Sequence, residues 1–281
     1  MSKVTYVDGI FVPHNHAMVR MEDRGYQFGD GVYEVVYFKK SHLVDIVPHL
    51  ERLYQSLESI KINLDISIQS MTLKIKELIR HNKYSEGFVY LQVTRGIAPR
   101  DHVYKEGLKP VLTMCVMKFT YSHQGGVEVF TEPDIRWQRN DIKSISLLGN
   151  VLAKNSAARQ KGFEAWLIDE QGYITEASAA NSWIVNQQGT VITTPCSERI
   201  LKGITRQRLL KIMDDNGIKY EERKFTETES LEASEAFLTS STKAVVPVIK
   251  INGKKVGKGS VGPVVKKLQD LYLQFVDSAL N

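Results

Sequence analysis

Strands and helices are interleaved along this chain without a regular βαβ rhythm, and that pattern selects an α+β fold over a doubly wound parallel sheet. Residues 4–13 read as a β-hairpin with Asp8 and Gly9 at its turn. Residues 31–38 are β-rich, and Ser41 and His42 turn the chain back. Pro48 stands in the first turn of a helix, where a proline is tolerated, and Leu50, Leu53, Leu57 and Ile60 then recur at helical spacing. Arg52 lies off that apolar face, so the pattern alone makes it a solvated arginine. A second helix carries Ile68, Met71, Ile75, Leu78 and Ile79 on one face. Residues 88–94 and 111–119 are apolar and β-branched enough to be strands. Residues 121–126 are polar and end in Gly-Gly, which marks a linker between a domain of residues 1–120 and one of residues 126–281.

The second half opens on a strand over 127–131. A helix over 150–161 is closed by Gly162 as its stop signal. Strands over 164–169 and 183–186 come next, with turns at Gln171-Gly172 and Gln188-Gly189. Glu176 falls shortly after the first of these turns and reads there as an exposed glutamate. Residues 205–216 form a helix with Leu209, Leu210 and Met213 inward and Gly217 at its end. Strands over 237–239 and 245–251 precede a long terminal helix over 261–279, and Asn252-Gly253 beside Lys254-Lys255 reads as a hairpin turn.

With 281 residues, 42% of them apolar and 25% charged, the chain buries a sizeable core in the manner of a soluble globular protein. Its net charge of +5 is modest, and no basic run is interleaved with aromatics, which argues against nucleic acid as a partner. No run approaches a membrane span, and the N-terminus lacks an apolar signal segment, so the expected location is the cytoplasm. Cys115 sits in an apolar run and reads as a buried core thiol; with Cys196 far away, no spacing points to a disulfide framework or a zinc site.

One lysine carries a chemical signal. Lys143 lies between the polar approach Arg139-Asn140-Asp141 and the apolar segment around Leu147-Leu148. Removing an ammonium from water favours its neutral form, and a neutral amine can attack an aldehyde and hold a cofactor as a Schiff base. A second signal is Gly203-Ile204-Thr205, a glycine and a hydroxyl opening a helix, where backbone N–H groups form an anion site.

Several motifs in order resemble one family. The run from Asp23-Arg24-Gly25-Tyr26-Gln27-Phe28 through Gly29-Asp30-Gly31-Val32-Tyr33-Glu34 is similar to the N-terminal signature of the D-amino-acid transaminases. These belong to the class IV pyridoxal-phosphate-dependent aminotransferases. Arg95-Gly96-Ile97-Ala98-Pro99-Arg100-Asp101-His102 resembles their substrate-carboxylate motif. Asp141-Ile142-Lys143-Ser144 with Leu147-Leu148-Gly149-Asn150 resembles the segment of the cofactor lysine. Thr175-Glu176-Ala177-Ser178-Ala179-Ala180-Asn181 and Leu201-Lys202-Gly203-Ile204-Thr205-Arg206 resemble the later cofactor segments. The likeness runs from about Thr5 to about Leu271.

The resemblance implies the two-domain fold of the D-amino-acid and branched-chain transaminases (pyridoxal-phosphate fold type IV), with pyridoxal 5′-phosphate between the domains. The N-terminal domain would carry substrate-carboxylate and phosphate residues, and the C-terminal one would bind the cofactor. Lys143 would hold the cofactor and then shuttle the proton at substrate Cα. Glu176 would face the pyridine nitrogen. Ile204, Thr205, Ser240, Ser241 and Arg52 would take the phosphate. Tyr33, Arg100 and His102 would meet the substrate carboxylate, arginine supplying a two-donor fork. Glu164 would act near the ring hydroxyl through a neighbour. The Arg-x-His pair leans the reading toward D-amino acids such as D-alanine or D-glutamate, with 2-oxoglutarate or pyruvate as acceptor. A homodimer is implied, with Arg100 and His102 serving the neighbouring subunit. Two departures stand out: Ala179 and Ala180 replace hydroxyl residues common in relatives, and Ser241 stands where threonine is common.

Branched-chain L-amino-acid transaminase and aminodeoxychorismate lyase are the alternatives within the same fold. Outside it, Ser240-Ser241-Thr242-Lys243 has the Ser-x-x-Lys spacing of a serine acyl-hydrolase, which needs a helical turn to bring its ends together. The flanking Phe237-Leu238 and Val245-Val246 predict strand, loop and strand instead.

Overall fold

The computed structural model describes residues 3–119 and 125–278, so most of the linker expected over 121–126 lies outside the described residues. The chain divides into two compact units. The first gathers residues up to 120 together with Ile142–Ser146, and the second holds 121–141 and the chain from Leu147 onward. The segment of Lys143 thus packs with the first unit although it lies beyond the linker in sequence.

The first unit runs β1 (Val4–Val7), β2 (Ile10–Pro13), α1 (Arg24–Phe28), β3 (Gly31–Lys39), β4 (His42–Leu43), α2 (Ile46–Ser59), α3 (Ile68–Asn82), β5 (Glu86–Thr94) and β6 (Val111–Lys118). Its six strands form one sheet in the order β2-β1-β6-β5-β3-β4, with every neighbouring pair antiparallel. Period-2 alternation along β3 sends Val32 and Val36 to the core, where Leu50, Leu53 and Leu57 of α2 and Met71, Ile75 and Leu78 of α3 meet them. Those helical residues are the ones the 3.6-residue spacing predicts. Cys115 of β6 is half-buried rather than buried, because its side faces away from this core.

The second unit runs β7 (Val127–Pro133), α4 (Leu148–Arg159), β8 (Glu164–Ile168), β9 (Ile174–Ala177), β10 (Asn181–Val185), β11 (Val191–Thr193), α5 (Ile204–Asp215), β12 (Tyr220–Glu222), α6 (Glu227–Glu232), β13 (Glu235–Ser240), β14 (Ala244–Ile251), β15 (Lys254–Lys255) and α7 (Pro263–Ser278). Its strands form a nine-stranded mixed sheet, β12-β11-β10-β13-β14-β7-β8-β9, with β15 pairing β14. One side is an apolar interior that includes Trp166, Ile184, Phe225 and Leu238. The β7-α4-β8 crossover joins parallel strands, as a helix connection allows.

Three sequence expectations need correction here. The left-handed residue ending α4 is Lys161, with φ 64°; Gly162 is required for a different reason, since a β-carbon there would stand 2.5 Å from the Phe130 ring. On α5 the inward residues are Leu209, Ile212 and Met213, and Leu210 is only half-buried. Glu176 is no turn residue: it lies on β9, whose four residues are all buried. Among the described residues no helix is long and apolar enough to cross a membrane.

Candidate active site

In the first unit Tyr33 and Lys143 meet along the open edge at the start of β3. Beyond its pairing with β5, this edge accepts the segment 142–146 as a short extra strand. The Tyr33 N–H donates to the Lys143 carbonyl at 3.0 Å, and the Ile145 N–H donates to the Gly31 carbonyl at 3.0 Å. The Lys143 N–H donates in turn to the Ser56 hydroxyl of α2 at 3.2 Å. Backbone bonds on both sides fix where the Lys143 side chain starts. Its ammonium lies 4.3 Å from the centre of the Tyr33 ring, an amine–aromatic contact in a half-buried position. Tyr33 also stacks on Tyr90 at 5.7 Å.

Arg52 is buried, against its sequence pattern. It lies one helical turn before Ser56, and its Nε and Nη2 donate to the two carboxylate oxygens of Glu34 at 2.7 and 2.9 Å. His49 Nδ1 meets the same carboxylate at 2.7 Å. Glu34 is fully enclosed. Burial pushes its carboxyl up, but Arg52 and His49 outweigh that and hold it far below the usual range. Burial lowers His49 despite the facing carboxylate. An arginine can leave water here because an anion fixes two of its nitrogens.

Arg100 and His102 lie on the exposed loop after Pro99, and both rest against Phe28. The Arg100 guanidinium is 5.2 Å from the ring centre, and the His102 ring is 5.5 Å from it. The structure thus forms two groups in this unit, Tyr33 with Lys143 and Arg100 with His102.

In the second unit, Glu176 is buried at the end of a compact ionic cluster. Arg136 donates to Glu176 at 2.6 Å and to Asp134 at 2.8 Å. Asn181 Nδ2 donates to the other Glu176 oxygen at 2.9 Å, and the Leu201 N–H adds a donor at 3.3 Å. Two buried carboxylates share this one guanidinium. Burial raises the Glu176 carboxyl, Arg136 opposes the rise, and the net shift remains upward. Asp134 takes the larger share: burial raises its carboxyl too, but the Arg136 hydrogen bonds leave it lowered. Two carboxylates against one guanidinium leave the cluster with an excess of negative charge, which a cation such as a protonated ring nitrogen would balance.

Asn181 links Glu176 to the start of α5. It also donates to the Leu201 carbonyl at 3.0 Å, and a β-carbon on Gly203 would stand 2.1 Å from its side-chain oxygen. Gly203 caps α5 with no side-chain hydrogen bond, so the buried Ile204 and Thr205 open the helix with their N–H groups uncapped by a side chain. This donor set suits a phosphate. Asn181 is in register with Thr239, which brings the end of β13 and Ser240 alongside. Ser240 borders a cavity of about 380 Å³ that also touches Ala179, Ala180, Thr242 and Lys243. Ser241 lies in the turn between β13 and β14, and the Lys243 N–H donates to the Ser240 carbonyl across it at 3.2 Å. No helical turn joins Ser240 to Lys243, so the hydrolase reading lacks its geometry. Glu164 accepts from Ser178 and pairs with Lys154 at 2.8 Å.

Sequence reasoning assigned no role to Glu34, His49, Asp134, Arg136 or Asn181. Glu34 and Asn181 close two of the quoted motifs, and Arg136 lies seven residues before Lys143. Their burial was the missing signal, since a charged residue inside a protein needs a partner.

The amino-transferase class IV family matches residues 31–251. The chain is 42% identical over 265 residues to the D-alanine aminotransferase of Bacillus licheniformis, covering 93% of each. It is 36% identical to that of Staphylococcus haemolyticus, covering 99% of each. In fold it is similar to the branched-chain amino acid aminotransferase of Escherichia coli, with TM-score 0.93 at 21% identity over 98% of this chain and 95% of that one. The branched-chain enzyme of Thermobaculum terrenum in its PLP-bound holo form gives TM-score 0.87 at 19% identity over 99% of this chain and 95% of that one.

Proposed function

The chain belongs to the amino-transferase class IV family, and we propose that it moves the amino group of a D-amino acid to a 2-oxo acid with pyridoxal 5′-phosphate as cofactor. D-Alanine or D-glutamate as donor, and 2-oxoglutarate or pyruvate as acceptor, fit that reading. Likeness to D-alanine aminotransferases over nearly the whole chain supports the D-specific substrate class, whereas the branched-chain structures speak only for the fold. Within the molecule, the observation that carries the reading is the Asp134–Arg136–Glu176 cluster, rich in buried carboxylate and linked through Asn181 to the uncapped start of α5.

When bound, the cofactor supplies the electron sink that makes substrate Cα–H acidic. The remaining work falls to side chains. Lys143 would hold the cofactor through its amine and would carry the proton at substrate Cα. Glu176, its carboxylate steered by Arg136 and Asn181, keeps the ring nitrogen protonated. The Ile204 and Thr205 N–H groups, the hydroxyls of Thr205, Ser240 and Ser241, and the Glu34-fixed guanidinium of Arg52 receive the phosphate. Arg100, His102 and Tyr33 bind the substrate carboxylate.

We assign the protein to a homodimer in which Arg100 and His102 serve the neighbouring subunit. Ile97 and Val103 of this loop are large apolar side chains left exposed, as are Met18, Met21 and Tyr26 earlier in the chain, and exposed apolar surface of this kind supports an association surface. The cytoplasm is the proposed location.

A screen of D- and L-amino donors against 2-oxoglutarate tests the reaction. D-Alanine or D-glutamate should support turnover far above the L-branched-chain acids. The reverse preference would move the chain to the branched-chain alternative, and pyruvate release without amino transfer would make it a lyase. Glu176→Gln should retain the cofactor while slowing turnover about 10- to 100-fold, the equivalent of a charge-assisted hydrogen bond. A variant that binds cofactor normally and turns over at the wild-type rate would exclude Glu176 as the ring partner.

A further inference from the structure

The Asp23–Phe28 motif has no part in the reaction as described, yet its side chains touch the loop that bears Arg100 and His102. Asp23 caps the short helix α1 by accepting from the Gly25 N–H at 2.8 Å, and its other oxygen accepts from Thr94 at 2.9 Å. The helix is thereby fixed to the end of β5. Arg24 and Phe28, four residues apart, fall on one face of it. Arg24 is buried, and its Nη1 and Nη2 donate to the carbonyls of Asp101 and His102 at 2.6 and 3.3 Å. Its Nε donates to Asp30 at 2.9 Å, and Arg95 Nε donates to the same oxygen at 2.7 Å. Desolvation raises the Asp30 carboxyl, but the two arginines outweigh it and hold it below the usual range. The ring centre of Tyr104, two residues beyond His102 on the same loop, lies 3.8 Å from the Arg95 guanidinium. Phe28 itself touches the Arg24, Arg100 and His102 side chains.

We propose that Arg24 and Phe28 are positioning residues for substrate-carboxylate recognition, Arg24 fixing the backbone of residues 101–102 and Phe28 serving as the common platform for the Arg100 and His102 side chains. Backbone bonds fix the start of the loop, where the Arg24 N–H donates to the Gly96 carbonyl at 2.9 Å and the Ala98 N–H to the Glu22 carbonyl at 3.2 Å, whereas the exposed residues 100–102 are held through side-chain tethers such as Arg24. A guanidinium that donates two bonds into successive carbonyls removes the freedom of that backbone. An aromatic face under a guanidinium and an imidazole selects their rotamers. Binding then costs less ordering of the two recognition groups. The inference rests on the reading that Arg100 and His102 receive the carboxylate.

Phe28→Leu, Phe28→Tyr, Arg24→Gln and Arg100→Ala, each as the cofactor-loaded enzyme, test it. Phe28→Leu should raise KM for D-alanine about two- to fivefold, the scale of a lost cation–π contact, with kcat within a factor of two and cofactor content unchanged. Phe28→Tyr, which keeps the ring face, should restore the wild-type KM. Arg24→Gln should raise KM and speed amide hydrogen exchange across residues 100–104, a readout that needs no turnover. The positioning role is overturned if Arg100→Ala raises KM but Phe28→Leu and Arg24→Gln leave it unchanged. It is equally overturned if kcat and cofactor content fall along with the rise in KM, since that pattern is general structural damage. An unchanged KM in Arg100→Ala would instead sink the carboxylate reading itself, whatever Phe28→Leu and Arg24→Gln do.

Discussion

Replacing Lys143 with alanine should abolish transamination. Loss of proton transfer alone lowers turnover about 10²–10⁴-fold, and loss of the covalent tether adds to that. Lys143 is suited to both tasks because its backbone is bonded to Tyr33 on one side and Ser56 on the other, so the amine works from a fixed origin. Borohydride treatment of the wild-type enzyme followed by peptide mapping should find the pyridoxyl label on Lys143. A label on any other lysine removes the assignment. The same variant tests the dimer. If Arg100 serves the neighbouring subunit, inactive Lys143→Ala and Arg100→Ala chains unfolded and refolded together should recover roughly a quarter of wild-type activity. Half the dimers would be mixed, and each mixed dimer would have one intact site. A verified mixed dimer without activity would reject the shared site and leave the lysine assignment standing.

Glu34→Gln should destabilise the protein by about 3–5 kcal/mol at pH 7, because it strands a buried arginine without its carboxylate. Arg52 and His49 both point at Glu34, and all three are enclosed. Denaturant titration would measure the loss; a change under about 1 kcal/mol, the scale of a surface pair, would show that the cluster is not what holds α2 to β3. The pH dependence has a definite sign. The folded Glu34 carboxyl is depressed below its ordinary value of 4.5, so its contribution is complete above that pH and is lost as pH falls through the folded value. His49 is lowered from 6.5, so its contribution too is complete above 6.5 and declines in acid. Wild-type stability should therefore fall from pH 6.5 downward and more steeply below 4.5, and Glu34→Gln should lack the lower of these two components.

Much of the fold was readable from residue order. Leu50, Leu53 and Leu57 on α2, and Met71, Ile75 and Leu78 on α3, repeat at helical spacing because one stripe of each helix must leave water, and they are the residues found in the core. Asn252-Gly253 marks a hairpin because both residues adopt positive φ, 49° and 78°, where other residue types are strained. Family membership was legible as well, since it rests on ordered motifs along nearly the whole chain.

Other features were settled by tertiary structure alone. Local pattern left Arg52 on a polar face, but Glu34, 18 residues earlier, lets it enter the interior. Glu176 came after a turn in the sequence, yet it lies on a four-residue strand too short for any periodicity to show, buried by Arg136, 40 residues before it. Segment 142–146 stands beyond the linker and still pairs with β3 in the first unit. Periodicity reports which side of an element faces apolar surroundings, because that is a property of neighbours a turn apart. Burial of a charge is decided by the partner that compensates it, and that partner is brought close only when distant segments pack.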